Sequence, residues 1–225
     1  MLQISQHQII LPAKNELARL KEDFSRQHCV VLVQLLGPAL LDLILEKLES
    51  AEFYSQSHKD DRQQEFGSDL TVRENEGILH LIHFVLNHPQ VLGSIQEITG
   101  SMAIASFAGR IYRNLPRANH QLNWHNDTDQ PERLFGLSIN LSRRPYRGGT
   151  FQLREESSGR LCYEVNGTNP GDAHLFLISP ALQHRVTALA GDAGRTSAAG
   201  WFLSAPDRAT VLRNLANDVG ARDSR

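Results

Sequence analysis

His125-Asn126-Asp127 sets an imidazole and a carboxylate two residues apart. Residues two apart on a β-strand point to the same face, so this pair can present both groups side by side. A second imidazole delivered by a distant strand would complete a two-histidine, one-carboxylate face. That donor set leaves positions open on a six-coordinate Fe(II), which is what oxygen activation needs. His184 is the foremost candidate, because it starts the alternating run His184-Arg185-Val186-Thr187-Ala188-Leu189 and can face a core from there. Further on, Arg195-Thr196-Ser197-Ala198-Ala199-Gly200-Trp201 reads as a strand with Arg195, Ser197, Ala199 and Trp201 on one face. An inward arginine demands an anion, since a buried unpaired guanidinium is costly. The small Ser197 and Ala199 leave space for one. A dicarboxylate that chelates iron at one end and meets the Arg195 fork at the other would satisfy both demands.

A lone His-x-Asp is weak evidence. His58-Lys59-Asp60 fits the same pattern, but it lies in a charged stretch without strand alternation and reads as part of a solvated loop. His174, in Ala173-His174-Leu175-Phe176-Leu177, competes with His184 as the distal imidazole. Alternation allows one face of that run to be exposed, and no arginine follows it at a useful distance. His80 and His83 lie three apart on an expected helix without an acidic companion, which suits surface or boundary histidines. Trp201 reads as core beside the anion pocket, and Trp124 should point away from its neighbour His125. Cys29 and Cys162 make no disulfide framework and read as small buried apolar groups, a usage that suits a reducing cytosol.

These groups need a scaffold. Leu17, Leu20 and Phe24 predict a helix over 14–26, and the β-branched run Cys29-Val30-Val31-Leu32-Val33 predicts a buried strand. Pro38 is placed to open a second helix, and the apolar positions at 78–86 and 91–98 predict two more. Residues 55–69 read as a polar loop. After Gly100 the texture changes to short runs rich in Ile, Phe, Tyr, Leu and Val, at 102–113, 133–142, 149–154, 160–165, 173–178, 184–189 and 195–203. Strands so punctuated by turn residues suggest a sandwich or barrel. Val211, Leu212, Leu215 and Val219 predict a closing helix. The expected organisation is a single α+β domain: a mostly helical flank over 1–99, a β core over 100–204, and a C-terminal helix and tail over 205–225.

A formal charge of −2 and a pI near 6.5 supply no field for gripping nucleic acid or anionic membranes, so neither is an expected partner. The most apolar stretch, 29–48, is broken by Gln34, Gly37-Pro38 and Asp42 and does not read as a bilayer span. With no secretory pattern at the N-terminus, a cytoplasmic protein is expected. The apolar face around Leu212 and Leu215 reads first as packing, with a homodimer contact as the other option.

Taken in order, His125-x-Asp127, Pro145-Tyr146-Arg147-Gly148-Gly149, Gly171-Asp172-Ala173-His174-Leu175-Phe176, His184-Arg185-Val186-Thr187 and Gly194-Arg195-Thr196-Ser197 resemble the 2-oxoglutarate/Fe(II)-dependent oxygenases. The likeness is to their prolyl 4-hydroxylase-like branch and spans residues 100–204. It implies a double-stranded β-helix (jelly-roll, cupin-like) core with iron ligands His125, Asp127 and His184. It also implies that Arg195 binds the distal carboxylate of 2-oxoglutarate and that Ser197 is the serine of an Arg-x-Ser pattern. The tyrosine that often helps hold the cosubstrate in such enzymes has Tyr112 as its candidate here, with Asn140 as the alternative. Arg195 follows His184 by eleven residues where ten is more usual in this branch, which implies a longer turn through Gly191-Asp192-Ala193-Gly194. Asp127 sets the chain apart from halogenating relatives, in which a small residue replaces the carboxylate.

The implied activity is hydroxylation of a C–H bond in a small molecule or peptidyl side chain, using Fe(II), 2-oxoglutarate and O₂ and releasing succinate and CO₂. A cupin-like metal protein or a non-catalytic ligand-binding β-barrel, neither using 2-oxoglutarate, is the alternative. Residues 55–69 and 114–121 are the candidate lids. Arg113 and Arg117 either meet a substrate carboxylate there or serve as ordinary surface charges.

Overall fold

Proline and left-handed residues set the first element boundaries. The computed structural model describes residues 1–59, 64–73, 77–101, 104–118 and 120–205. Strands β1 (Gln3–Ile4) and β2 (Ile9–Ile10) pair ahead of helix α1 (Lys14–Gln27). The helix stops at His28, whose φ of 57° lets its N–H return to the Phe24 carbonyl. Strand β3 (Cys29–Leu32) follows, and Pro38 then opens α2 (Pro38–Glu49), where its missing N–H has no partner to lose.

The polar stretch after α2 is not a solvated loop. It is a hairpin of β4 (Phe53–Lys59) and β5 (Glu65–Val72), with Gln56 directly opposite Asp69. Half-buried and exposed residues alternate along most of β4, but the inward side chains include Gln56 and His58, so no apolar period marks the strand. Helices α3 (Gly77–Leu86) and α4 (Pro89–Thr99) fall where apolar spacing predicts them. The remaining strands are β6 (Ser106–Asn114), β7 (Leu122–His125), β8 (Arg133–Asn140), β9 (Arg147–Gly148) and β10 (Phe151–Glu155). They continue with β11 (Leu161–Val165), β12 (Ala173–Leu177), β13 (Leu182–Val186), β14 (Leu189–Ala190) and β15 (Arg195–Leu203). The helix expected over 211–219 lies outside the described residues.

One eleven-stranded sheet runs β11-β10-β13-β7-β5-β6-β15-β8-β12-β3, with β4 added on β5. It curls into a double-stranded β-helix, with β11, β10, β13 and β7 as one wall and β6, β15, β8 and β12 as the other. Strand β5 is the seam. Its Leu70 and Thr71 pair with Arg113 and Tyr112 of β6, and its Gly67 pairs with Leu122 of β7. The crossing is so close that a Cβ on Gly67 would stand 2.3 Å from the Gln121 carbonyl oxygen. Strand β3 extends the second wall on β12, so the first hundred residues supply strands to the barrel as well as helices. The helices cover that wall from outside: Ile111, Ile139, Ala198 and Phe202 belong to one buried cluster with Ile82, Leu86, Ile95 and Ile98. Apolar packing is thereby satisfied on the outer face, which leaves the inner face to polar groups. Among the described residues no helix is long and apolar enough to cross a membrane.

Candidate active site

Strands β7 and β13 set His125 directly across from His184, with ring centroids 4.1 Å apart. His184 sits at the middle of its strand rather than at the start. Asp127 arrives by another route than strand alternation. Strand β7 ends at His125, and Asp127 stands just beyond it with a left-handed φ of 57°, a conformation that aspartate adopts more readily than most residues. The carboxylate lies between the two imidazoles: Oδ1 is 3.6 Å from His125 Nε2 and Oδ2 is 3.4 Å from His184 Nε2. One donor atom from each residue lies within 4.8 Å of the others, so a single ion can reach all three.

Protonation suits a cation there. His125 Nδ1–H donates to the Asn123 carbonyl at 2.7 Å, which leaves Nε2 with its lone pair. Burial, and after it the neighbouring His184, push the His125 pKa down to about 4. Burial also pushes the Asp127 carboxyl up, but His184, His125 and an indole N–H outweigh it and hold the group well below the usual carboxylate range. That N–H belongs to Trp201, which is more than core beside a pocket. Its Nε1–H donates to Asp127 Oδ2 at 2.8 Å, while the Arg133 guanidinium stacks 3.8 Å over its ring. Arg133 also donates to the Asp127 backbone carbonyl and to Asp129. Alternation along β15 already places Trp201 on the Arg195 face; nothing in the sequence says that it reaches Asp127.

The triad opens on a cavity of about 650 Å³, lined along β15 by Arg195, Ser197, Ala199 and Trp201 as alternation predicts. Arg195 is 7 % exposed and donates to the neutral Ser138 hydroxyl at 3.1 Å. Among the described residues no carboxylate pairs with it. Gly149 makes room for the guanidinium stem, since a Cβ there would stand 3.1 Å from Arg195 Cδ. Tyr112 faces Ser197 across the β6–β15 register and lines the same cavity. Burial, and then the Asp69 carboxylate, push its phenol far up, so it stays protonated as a donor.

The alternative to Tyr112 is already engaged. Asn140 donates from Nδ2 to the Thr168 carbonyl at 2.6 Å and accepts the Ser142 N–H on Oδ1. His174 is neither exposed nor part of the ligand cluster. Strand β12 is flanked by β8 and β3 and covered on both faces, so its inward histidine is buried in the cavity wall. Burial, and then the Arg195 charge, push its imidazole down to about 3.

The hairpin β4–β5 forms the opposing wall with Gln56, His58, Phe66 and Asp69. His58 Nε2 lies 2.8 Å from Oδ2 of the buried Asp69, whose Oδ1 accepts from the Thr71 hydroxyl. Phe66 stacks on the His125 ring at 4.4 Å. Arg113 stacks over Phe53 and Arg117 pairs with Asp192 at the surface, so neither lines the cavity. Trp124 stacks its ring with Arg154 and Arg185 and still borders the cavity.

No family model matches the chain, and no curated protein does. Solved structures do. An oxidoreductase of the 2OG-Fe(II) oxygenase family from Burkholderia pseudomallei aligns over 91 % of this chain and 97 % of its own, with TM-score 0.66 at 16 % identity. A prolyl-4-hydroxylase from Pseudomonas putida aligns over 83 % and 98 %, with TM-score 0.60 at 14 % identity. A prolyl hydroxylase from Trichoplax adhaerens, solved with a hypoxia inducible factor peptide fragment, aligns over 88 % and 97 %, with TM-score 0.60 at 14 % identity. The fold is the double-stranded β-helix of these oxygenases. Within that double-stranded β-helix, His125, Asp127, His184 and Arg195 share one cavity.

Proposed function

We propose that the protein is a 2-oxoglutarate- and Fe(II)-dependent dioxygenase that hydroxylates a C–H bond of a peptidyl side chain or small molecule. One observation carries this conclusion: a single cavity holds a two-histidine, one-aspartate face and a buried arginine that no carboxylate of the described residues neutralises. A metal-binding barrel that took no acidic ligand would gain nothing from burying Arg195. His125, Asp127 and His184 would hold the iron, and Arg195 the distal carboxylate of 2-oxoglutarate, with Ser197 and Tyr112 beside it. When bound, iron, 2-oxoglutarate and O₂ together supply the oxidation, releasing succinate and CO₂.

The chain's own groups do the positioning. The Asn123 carbonyl fixes the His125 tautomer, and the Trp201 N–H fixes the carboxylate. Arg195 supplies the charge that an acidic cosubstrate needs. Phe66, stacked on His125, and Phe176, 4.7 Å from the His184 ring, pack against both imidazoles. The hairpin wall is left to orient the substrate. The peptide bound to the Trichoplax protein supports a peptidyl target, and a cavity of about 650 Å³ holds a side chain or a small molecule.

The test needs no substrate. Fe(II) and then 2-oxoglutarate are added anaerobically, and the visible metal-to-ligand charge-transfer band is followed. The band should form in the native chain, vanish in His184→Ala and weaken in Arg195→Ala. Confirmed iron binding with no band would overturn the proposal.

A further inference from the structure

Among the buried polar groups of the cavity wall besides Arg195 is an imidazole. His174 is 4 % exposed, and its Nδ1 is buried without a hydrogen-bond partner among the described residues. Such orphans are rare in folded proteins and call for a missing partner. Register places the ring: His174 on β12 stands directly across from Ser138 on β8, and the Ser138 hydroxyl accepts from Arg195 Nη2 at 3.1 Å. All three side chains line one cavity. The ring is flanked by Phe151 at 4.3 Å and Phe176 at 6.0 Å, which hold its plane and offer no hydrogen-bond acceptor.

We propose that His174 is a cosubstrate-binding residue, donating an N–H to the same distal carboxylate that Arg195 holds. The inference rests on the dioxygenase reading and adds a recognition group to it. A carboxylate offers about four lone-pair sites, so it can take the guanidinium fork and still accept from an imidazole. A neutral imidazole contributes that donor without setting a second cation beside Arg195. A metal role is closed to His174, because the cluster that can share an ion is His125, Asp127 and His184.

Affinity of the anaerobic, iron-loaded protein would be measured for 2-oxoglutarate and for 2-oxobutyrate, which keeps the chelating end and lacks the distal carboxylate. His174→Phe should bind 2-oxoglutarate roughly tenfold or more weakly, the size of one hydrogen bond to a charged group. Its affinity for 2-oxobutyrate should not change, and His174→Gln, which restores an N–H, should recover part of the loss. The melting temperature of each variant checks its folding. Native-like 2-oxoglutarate binding by a folded His174→Phe protein would overturn the assignment, as would equal losses for both acids. If the native chain itself does not discriminate the two acids and Arg195→Met changes nothing, the dioxygenase reading falls along with it.

Discussion

Replacing Trp201 with phenylalanine should remove one hydrogen bond to the Asp127 carboxylate, the proposed metal ligand, and little else. The indole Nε1 lies 2.8 Å from Asp127 Oδ2, in the range of charge-assisted bonds. A hydrogen bond to a charged acceptor contributes about 1.5–3 kcal/mol, and each 1.4 kcal/mol or so is a factor of ten in affinity. Iron binding should therefore weaken by roughly 10- to 100-fold, the effect usual for groups that brace a metal ligand. Phenylalanine keeps an aromatic face beneath Arg133, now 3.8 Å from the indole ring, so the Arg133–Asp129 pair should persist. The assay is anaerobic Fe(II) titration against a competing chelator, for the native chain, Trp201→Phe and Asp127→Ala, with the melting temperature of each metal-free protein. A dissociation constant within about twofold of native would refute the positioning role, since about 1.5 kcal/mol is the least such a bond supplies. A large drop in metal-free melting temperature would show instead that the indole acts through packing.

Three further outcomes follow from the same geometry. Acid should destabilise the metal-free protein early: folded His125 and His174 have pKa values of about 4 and about 3, against 6.5 for an unperturbed histidine. Between those values the unfolded chain binds more protons, so stability falls as pH drops from about 6.5 toward 4. Asp127, depressed in the fold, adds a loss of the same sign below its ordinary value. Each imidazole contributes on the order of 3 kcal/mol, a large share of a total near 5–15 kcal/mol, so urea midpoints should decline steadily over that range; a flat profile would contradict neutral burial. Gly149→Ala should raise the 2-oxoglutarate concentration for half-saturation with little change in Fe(II) affinity, because the new Cβ presses on Arg195 from a residue at φ 61°. It should also cost about 1 kcal/mol in chemical denaturation, and equal weakening toward metal and cosubstrate would indicate a general defect instead. His58→Ala should cost about 1.5–3 kcal/mol by stripping the buried Asp69 of its imidazole, with Asp69→Asn recovering part in the double variant; additivity of the two would refute the coupling.

Helices and core strands were legible because their apolar period survives in the chain: α3 at 77–86 and β15 at 195–203 stand where spacing predicts them. The candidate ligands His125, Asp127 and His184 stand out in the sequence as residue types, yet what brings them together has a partly different cause. His125 and His184 meet through cross-strand register, whereas Asp127 joins them through a left-handed residue that strand alternation does not describe. The hairpin was illegible because its inward residues include Gln56, His58 and Asp69, polar groups that satisfy one another or face a cavity. The partner of Trp201 was illegible for a simpler reason. Alternation assigns a face, but the carboxylate that the indole meets lies 74 residues away in sequence.

Strand β5 joins the two walls of the barrel, while among the described residues β4 pairs with β5 alone. The two strands of the hairpin are therefore unequal as places for change. Substitutions on β5, at Gly67 or Asp69, disturb the closure that backs His125, to which Phe66 couples them directly. Gln56, on the outer strand, can be exchanged at a smaller penalty, whereas His58 on the same strand carries the bond to Asp69. If the proposed activity holds, a library meant to alter what the cavity accepts belongs on that outer strand, at positions such as Gln56, while β5 is kept constant.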